Sequence, residues 1–195
     1  MTAVSHEKIK NKLKPNSKIA TASIILVLTT LITLTALNTQ ENQDDQGFNR
    51  ADLMFMNMMI VHHNQAIEMA EMAENRTENE NILELSNNIS KAQREENRQM
   101  TKWMQNQGFE PGNHHRMAGM ASEQQMQQLR ENNGTEFNHL FAKLMIEHHQ
   151  GGIAMAEQFH QTGKNTELKQ MQQQMIDAQT EEIKKMRKWQ REDQL

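Results

Sequence analysis

The chain has 195 residues, a formal charge of -4, 4% aromatic residues, no tyrosine and no cysteine. One domain is the default at that length, the shortage of aromatic residues argues against a β-sandwich or barrel, and without cysteine there is no disulfide and no thiolate metal site. The remaining bias toward Ala, Leu, Met, Glu, Gln and Lys suits helices, with 17 methionines as the outlier.

Lys8, Lys10, Lys12, Lys14 and Lys18 precede an uncharged stretch from Ile19 to Leu37 that contains the aliphatic run Ile24 to Leu28. This is the basic and apolar succession of a secretory signal. The stretch also roughly matches the length of helix that crosses a bilayer. Residues 1–37 are therefore expected to be a signal peptide or an N-terminal membrane anchor. The rest of the chain is placed in the periplasm or outside the cell, and membrane contact is confined to residues 19–37 if they stay uncleaved. Removing residues 1–37 takes away five Lys and one Glu and moves the formal charge from -4 to -8. An acidic exported domain is a poor nucleic-acid binder and a reasonable home for cations.

Residues 38–48 form a polar, flexible leader. Helical periodicity then predicts a first helix over 49–75 and a second over 78–106, with Thr77 and Glu80 as a capping box and Gly108 and Pro111 as the stop. The connector 107–134 is long and carries a helix-permissive piece from Ser122 to Glu131. A third long helix is expected from Thr135 to Gly163, and a fourth from 166 to 190. The second pair repeats the first at a constant offset of 86. Met59, Ile60, His62, His63, Ile67, Met69, Ala70 and Glu71 match Met145, Ile146, His148, His149, Ile153, Met155, Ala156 and Glu157. Further on, Ala92, Gln93, Glu95, Glu96, Met100 and Trp103 match Ala178, Gln179, Glu181, Glu182, Met186 and Trp189. The expected architecture is all-α: a four-helix bundle made of two duplicated antiparallel hairpins, 49–106 and 135–190, in one domain spanning 49–190. The sequence leaves the oligomeric state open.

A helical wheel puts His62 and His63 on or beside the apolar arc of the first helix, with Phe55, Met58, Met59, Ala66 and Met69. His148 and His149 sit likewise on the third helix, with Phe141, Leu144, Met145, Gly152 and Met155. On the second helix Leu85, Ile89, Ala92, Met100 and Trp103 form the apolar stripe, with Glu96 in its middle. Glu182 takes that place on the fourth, among Leu168, Met171, Met175, Ala178, Met186 and Trp189. A carboxylate in a core stripe has to be paired, metal-bound or protonated. Folding each hairpin about its turn brings Glu96 level with Met59, His62 and His63, and Glu182 level with His148 and His149. Two readings follow: a polar core network, or a metal site with imidazole, carboxylate or thioether donors. Met56, Met58, Met171 and Met175 read as core filler.

The connector offers a second, open candidate in His114, His115, Met117 and Met120, a short His/Met tract able to wrap a metal. Soft, neutral thioethers favour Cu(I), while imidazoles accept Cu(II) and Zn(II). An envelope compartment that oxidises thiols suits a copper site built without cysteine.

The segments Met58 to Met72 and Leu144 to Gln158 resemble the doubled double-histidine signature of the domain-of-unknown-function family numbered 305, over residues 48–190. The family resemblance implies a helical bundle. The chain is also similar to a periplasmic copper-binding member, which implies copper binding and copper resistance with His and Met as ligands. By position, the resemblance assigns His62, His63 and Met69 to the first set and His148, His149 and Met155 to the second. Met59, Glu96, Met145 and Glu182 are supports or further ligands. The first copy has Asn64 and Gln65 where relatives often carry Gln and Gly, and the second has Gly152 where Ala is usual.

The expected function is binding of Cu(I) and Cu(II) for sequestration or carriage, by ligand exchange and without a catalytic group. Its partners would be copper ions and an envelope copper exporter or another copper protein. Two alternatives stand beside it. One is a ferritin-like or cuprous oxidase, for which Glu136–His139 and Glu157–His160 supply local ExxH pairs, both on one helix. The other is a structural or partner-binding bundle without metal. No phosphate-loop, dinucleotide or nucleophile-elbow motif occurs.

Overall fold

The computed structural model describes residues 47–112 and 117–195. Residues 1–37, the leader up to residue 46, and His114 and His115 of the connector lie outside the described residues. The described chain is all-α, with five α-helices and no strand: α1 (Arg50–Met72), α2 (Glu80–Asn106), α3 (Glu123–Glu131), α4 (Gly134–Thr162) and α5 (Thr166–Arg191). None of these helices is long and apolar enough to cross a membrane.

The helix starts are set by side-chain caps. Asn49 and Asp52 form a reciprocal box at α1, and Ser122 and Gln125 another at α3. The start of α2 departs from the expected Thr77–Glu80 box. Asn79 is the cap, accepting from the Ile82 amide at 3.1 Å, while the Thr77 hydroxyl accepts from the Asn79 amide at 3.0 Å. Asn165, the residue matching Asn79, caps α5 in the same way through the Leu168 amide. After α2, Gly108 turns the chain at φ 76°, in the left-handed region where glycine carries no steric cost.

The two long helices of each hairpin lie against each other, α1 on α2 and α4 on α5, and α1 also packs on α4. The core has two apolar clusters. One holds Phe55, Met56, Met59 and Ile60 of α1 with Met155, Ala156 and Phe159 of α4. The other holds Ala66, Met69, Ala70 and Ala73 of α1 with Phe137, Phe141, Leu144, Met145 and Ile146 of α4, and is extended by Met126 and Leu129 of α3. Helices α1 and α4 therefore run in opposite senses. The stretches between the clusters, residues 61–65 and 147–151, carry the paired histidines.

The buried stripes of α2 and α5 differ from the wheel. Ala92 and Ala178 are exposed, while Gln93 and Gln179 are buried. The buried sequence Ser86, Gln93, Met100 advances by seven residues, as does Ile82, Ile89. On a wheel at 100° per residue these buried positions of α2 fall within one arc centred between Ile89 and Gln93, so the face that packs is turned about half a residue step from the expected one and takes Gln93 inward in place of Ala92.

Candidate metal centre

All four paired histidines are buried. His62 and His63 lie on α1, and His148 and His149 on α4. Because adjacent helical residues point about 100° apart, each pair presents one ring toward the opposite hairpin and one toward its own partner helix. His63 Nε2 lies 2.8 Å from Glu96 Oε2 on α2. His149 Nε2 lies 2.7 Å from Glu182 Oε2 on α5, out of line for a hydrogen bond. Both carboxylates retain about a fifth of their side-chain exposure, 22% and 18%. They reach the buried rings from the rim of the core.

His62 and His148 meet each other. Their ring centroids are 3.8 Å apart, with the planes tilted by 37°. His148 Nε2 approaches the His62 carbonyl at 3.0 Å, and His62 Nε2 approaches the Ala118 carbonyl at 3.2 Å. Carbonyl and carboxylate oxygens only accept, so His62, His63 and His148, whose Nε2 atoms make these hydrogen bonds, carry the proton on Nε2. Nδ1 of each of these three rings is then a bare lone pair. None of the four Nδ1 atoms has a hydrogen-bond partner among the described residues.

Burial keeps the innermost rings neutral. His62 has its pKa pushed down from 6.5 to about 3, chiefly by loss of solvent and then by its neighbour His63. The Ala118 carbonyl works the other way, and His149 adds a further lowering. His148 is held well below the ordinary imidazole value by burial and then by His62, His149 and His63. Neutral imidazole is the form that ligates metals.

The connector closes over this layer on one side. Gln65 grips Ala121 twice, donating to its carbonyl at 2.9 Å and accepting from its amide at 2.7 Å. That pins residues 117–121 across α4 at Gly151. A Cβ at Gly151 would fall 2.0 Å from the Ala118 carbonyl oxygen, so only glycine allows the crossing. Next to it, a Cβ on Gly152 would meet Gln179 Oε1 at 2.8 Å and His62 Cε1 at 3.3 Å. The two glycines thus make room for the segment that holds His62 and for the amide beside it.

Of the remaining candidates, Met69 and Met145 are buried in one apolar cluster, and Met59 and Met155 in the other. Met59 and Met145 precede His63 and His149 by four residues, so each lies one turn away on the same face. Met117 and Met120 are half-buried in the connector. Glu136, His139 and Glu157 are exposed, away from the core, and His160 is half-buried. Among the described residues, no three His, Cys, Asp or Glu side chains form a group able to hold one ion between them.

Sequence reasoning passed over Gln65, Asp52, Gln93 and Gln179. The two core glutamines left a signal: they occur at matching places in both halves, seven residues before Met100 and Met186. Asp52 is fully buried and accepts from the amides of Asn49, Lys164 and Asn165, tying α1 to the start of α5.

The model of the family described as Domain of unknown function (DUF305) matches residues 52–190. Among solved structures, the chain is similar to a DUF305 fragment from Deinococcus radiodurans, with 29% identity, a TM-score of 0.67, and coverage of 71% of this chain and 94% of that one. It is similar to a DUF305 protein of Streptomyces coelicolor described as secreted by inference, with 28% identity, a TM-score of 0.66, and coverage of 70% and 89%. It is also similar to CopM in its Cu(I)-bound form, with 30% identity, a TM-score of 0.64, and coverage of 72% and 96%. CopM has further structures in Cu(II)-bound, Ag-bound and apo forms. No curated protein matches the chain.

Proposed function

This chain belongs to the DUF305 family, and we propose that it is an exported copper-binding protein that sequesters or carries copper through its buried histidines. The observation that carries the reading is the state of the histidine rings. His62, His63 and His148 each have Nε2 hydrogen-bonded to a carbonyl or carboxylate oxygen, His149 Nε2 lies 2.7 Å from Glu182, and none of the four Nδ1 atoms has a partner among the described residues. Metal-binding histidines are typically arranged this way, with an acceptor on one nitrogen fixing the tautomer and raising the basicity of the other.

Copper is the favoured metal because the donors are imidazoles with thioethers one turn away, and no thiolate is present. Met59 and Met145 would add sulfur to the nitrogen donors. The copper-bound and silver-bound forms of CopM support the choice of a soft monovalent ion. The basic and apolar N-terminus and the relative described as secreted by inference support export. The framework is a four-helix bundle of two duplicated hairpins in one domain over 49–190, supported by the matched His–Glu contacts 86 residues apart.

The work is binding and release by ligand exchange, with no bond-making step and no catalytic base. Lowering free copper would contribute to copper resistance, with an envelope exporter or another copper protein as recipient. The test is anaerobic titration of the chain with Cu(I) against a competing chelator, with ligands read by X-ray absorption. Nitrogen ligation that disappears when His62, His63, His148 and His149 are all replaced by Leu, with helicity retained, is the expected result. Equal copper uptake by that variant would overturn it.

A further inference from the structure

Methionine is unevenly placed in the core. Met56, Met59, Met100, Met104, Met155 and Met175 are buried in the cluster at the start of α1, with Met58, Met117 and Met171 half-buried against it. Nine of the chain's 17 methionines thus gather at one end. Duplication does not account for the excess. Met56, Met58, Met171 and Met175 match Ala142, Leu144, Leu85 and Ile89 in the other half, and Met104 matches Gln190. Leucine and isoleucine fill a core with better-defined rotamers than methionine, so apolar packing alone did not call for these exchanges.

A second observation lies in the same place. Gln172 is fully buried, and neither its amide oxygen nor its amide nitrogen has a partner among the described residues. It is four residues after Leu168 and three before Met175, both members of this cluster, so it shares their face of α5. An unpaired buried amide is destabilising, and at this site an apolar side chain would avoid that cost.

We propose that this end of the core is a second site for a monovalent soft cation, Cu(I) or Ag(I), separate from the histidine layer. Its thioether donors are drawn from Met56, Met100, Met104 and Met175, and the Gln172 amide oxygen is an additional polar donor. Neutral sulfur donors suit a soft ion. A site without a carboxylate disfavours Cu(II) and Zn(II), whose two charges cost more to desolvate than one. Half-buried Met58, Met117 and Met171 give the site an edge near the surface, and Met59 connects it to His62 and His63 one turn along α1. The proposal rests on the copper reading above but concerns different ligands.

The test titrates the full chain with Ag(I), then with Cu(I) without oxygen, and reads the ligands by X-ray absorption. A Met56→Leu/Met104→Leu/Met175→Leu variant is compared with a Met126→Leu/Met186→Leu control from the other end. The triple variant is expected to lose one equivalent of Ag(I) and most metal–sulfur scattering while keeping the nitrogen signal; the control keeps both. Unchanged stoichiometry and sulfur scattering in the triple variant, or equal losses in both variants, overturns the proposal. In the unmutated chain, Ag(I) is expected to shift the methionine methyl resonances of this end and leave those of Met126 and Met186 in place. The absence of such shifts also overturns it, whatever the variant's stability. Failure of the histidine reading looks different: sulfur scattering persists, and the histidine variants bind as before.

Discussion

The rings of His62 and His148, residues that match across the repeat, lie with centroids 3.8 Å apart and planes tilted by 37°, while their Nε2 atoms find different partners. His148 donates to the His62 carbonyl at 3.0 Å. His62 donates instead to the Ala118 carbonyl of the connector at 3.2 Å. The connector breaks an otherwise matched arrangement at its centre, and the consequences of that break can be measured.

Acid should destabilise the fold before the carboxylates titrate. His62 falls from 6.5 to about 3 on folding, and His148 is lowered as well. A group depressed in the folded state contributes stability that is complete above its unfolded value and is lost as pH falls toward the folded one. In that window the unfolded chain binds more protons, at about 1.4 kcal/mol per pH unit for each fully depressed group. Urea midpoints are expected to drop between pH 6.5 and 4.5. A flat profile there would show that these rings are not buried neutral.

Replacing Gln65 with Leu removes both hydrogen bonds to Ala121. The expected cost is roughly 1–3 kcal/mol, together with faster hydrogen exchange at the Ala121 amide. Protection equal to the unmutated chain would mean that Gln65 does not hold the connector.

The two adjacent glycines of α4 should respond differently to alanine. At either position Ala gains about 1 kcal/mol of helix propensity. At Gly151 the new Cβ meets backbone, the Ala118 oxygen at 2.0 Å, and overpacking of about 1–3 kcal/mol prevails. At Gly152 the nearest obstacle is the movable end of Gln179, and the matching residue of the first half is Ala66. Thermal unfolding should therefore rank Gly151→Ala well below Gly152→Ala; the reverse order would contradict the crossing geometry.

Glu96→Gln and Glu182→Gln are expected to leave the helices in place and to weaken Cu(I) binding by roughly 10–100-fold each, because a neutral amide polarises the imidazole less than a carboxylate does. Chelator competition reads this directly. Unaltered affinity in both variants would make these carboxylates structural only.

Asp52→Ala should cost roughly 2–4 kcal/mol in urea unfolding, since three backbone amides, those of Asn49, Lys164 and Asn165, lose their shared acceptor. A loss below 0.5 kcal/mol, the level of an ordinary surface change, would show that water replaces it.

Much of the site was legible in the chain itself. The histidines and Glu96 and Glu182 stand out because polar groups on an apolar face are conspicuous at helical spacing, and the repeat makes the same statement twice. Two local readings were corrected by packing. Thr77 yields the α2 cap to Asn79, whose side chain reaches the Ile82 amide. Ala92 and Ala178 yield the interior to Gln93 and Gln179, because the packed face of each helix is turned from the arc the apolar residues alone mark out.

The sequence by itself determined the helices, their duplication and the residue types available as donors, because these are properties of spacing along one chain. Tertiary structure alone decided which nitrogen of each histidine is held, which half the connector crosses, and how the methionines divide between the two ends of the core. Those outcomes depend on contacts between segments such as Gln65 with Ala121 and His62 with His148, 56 and 86 residues apart. Such contacts are set by interhelical packing, which no local periodicity encodes.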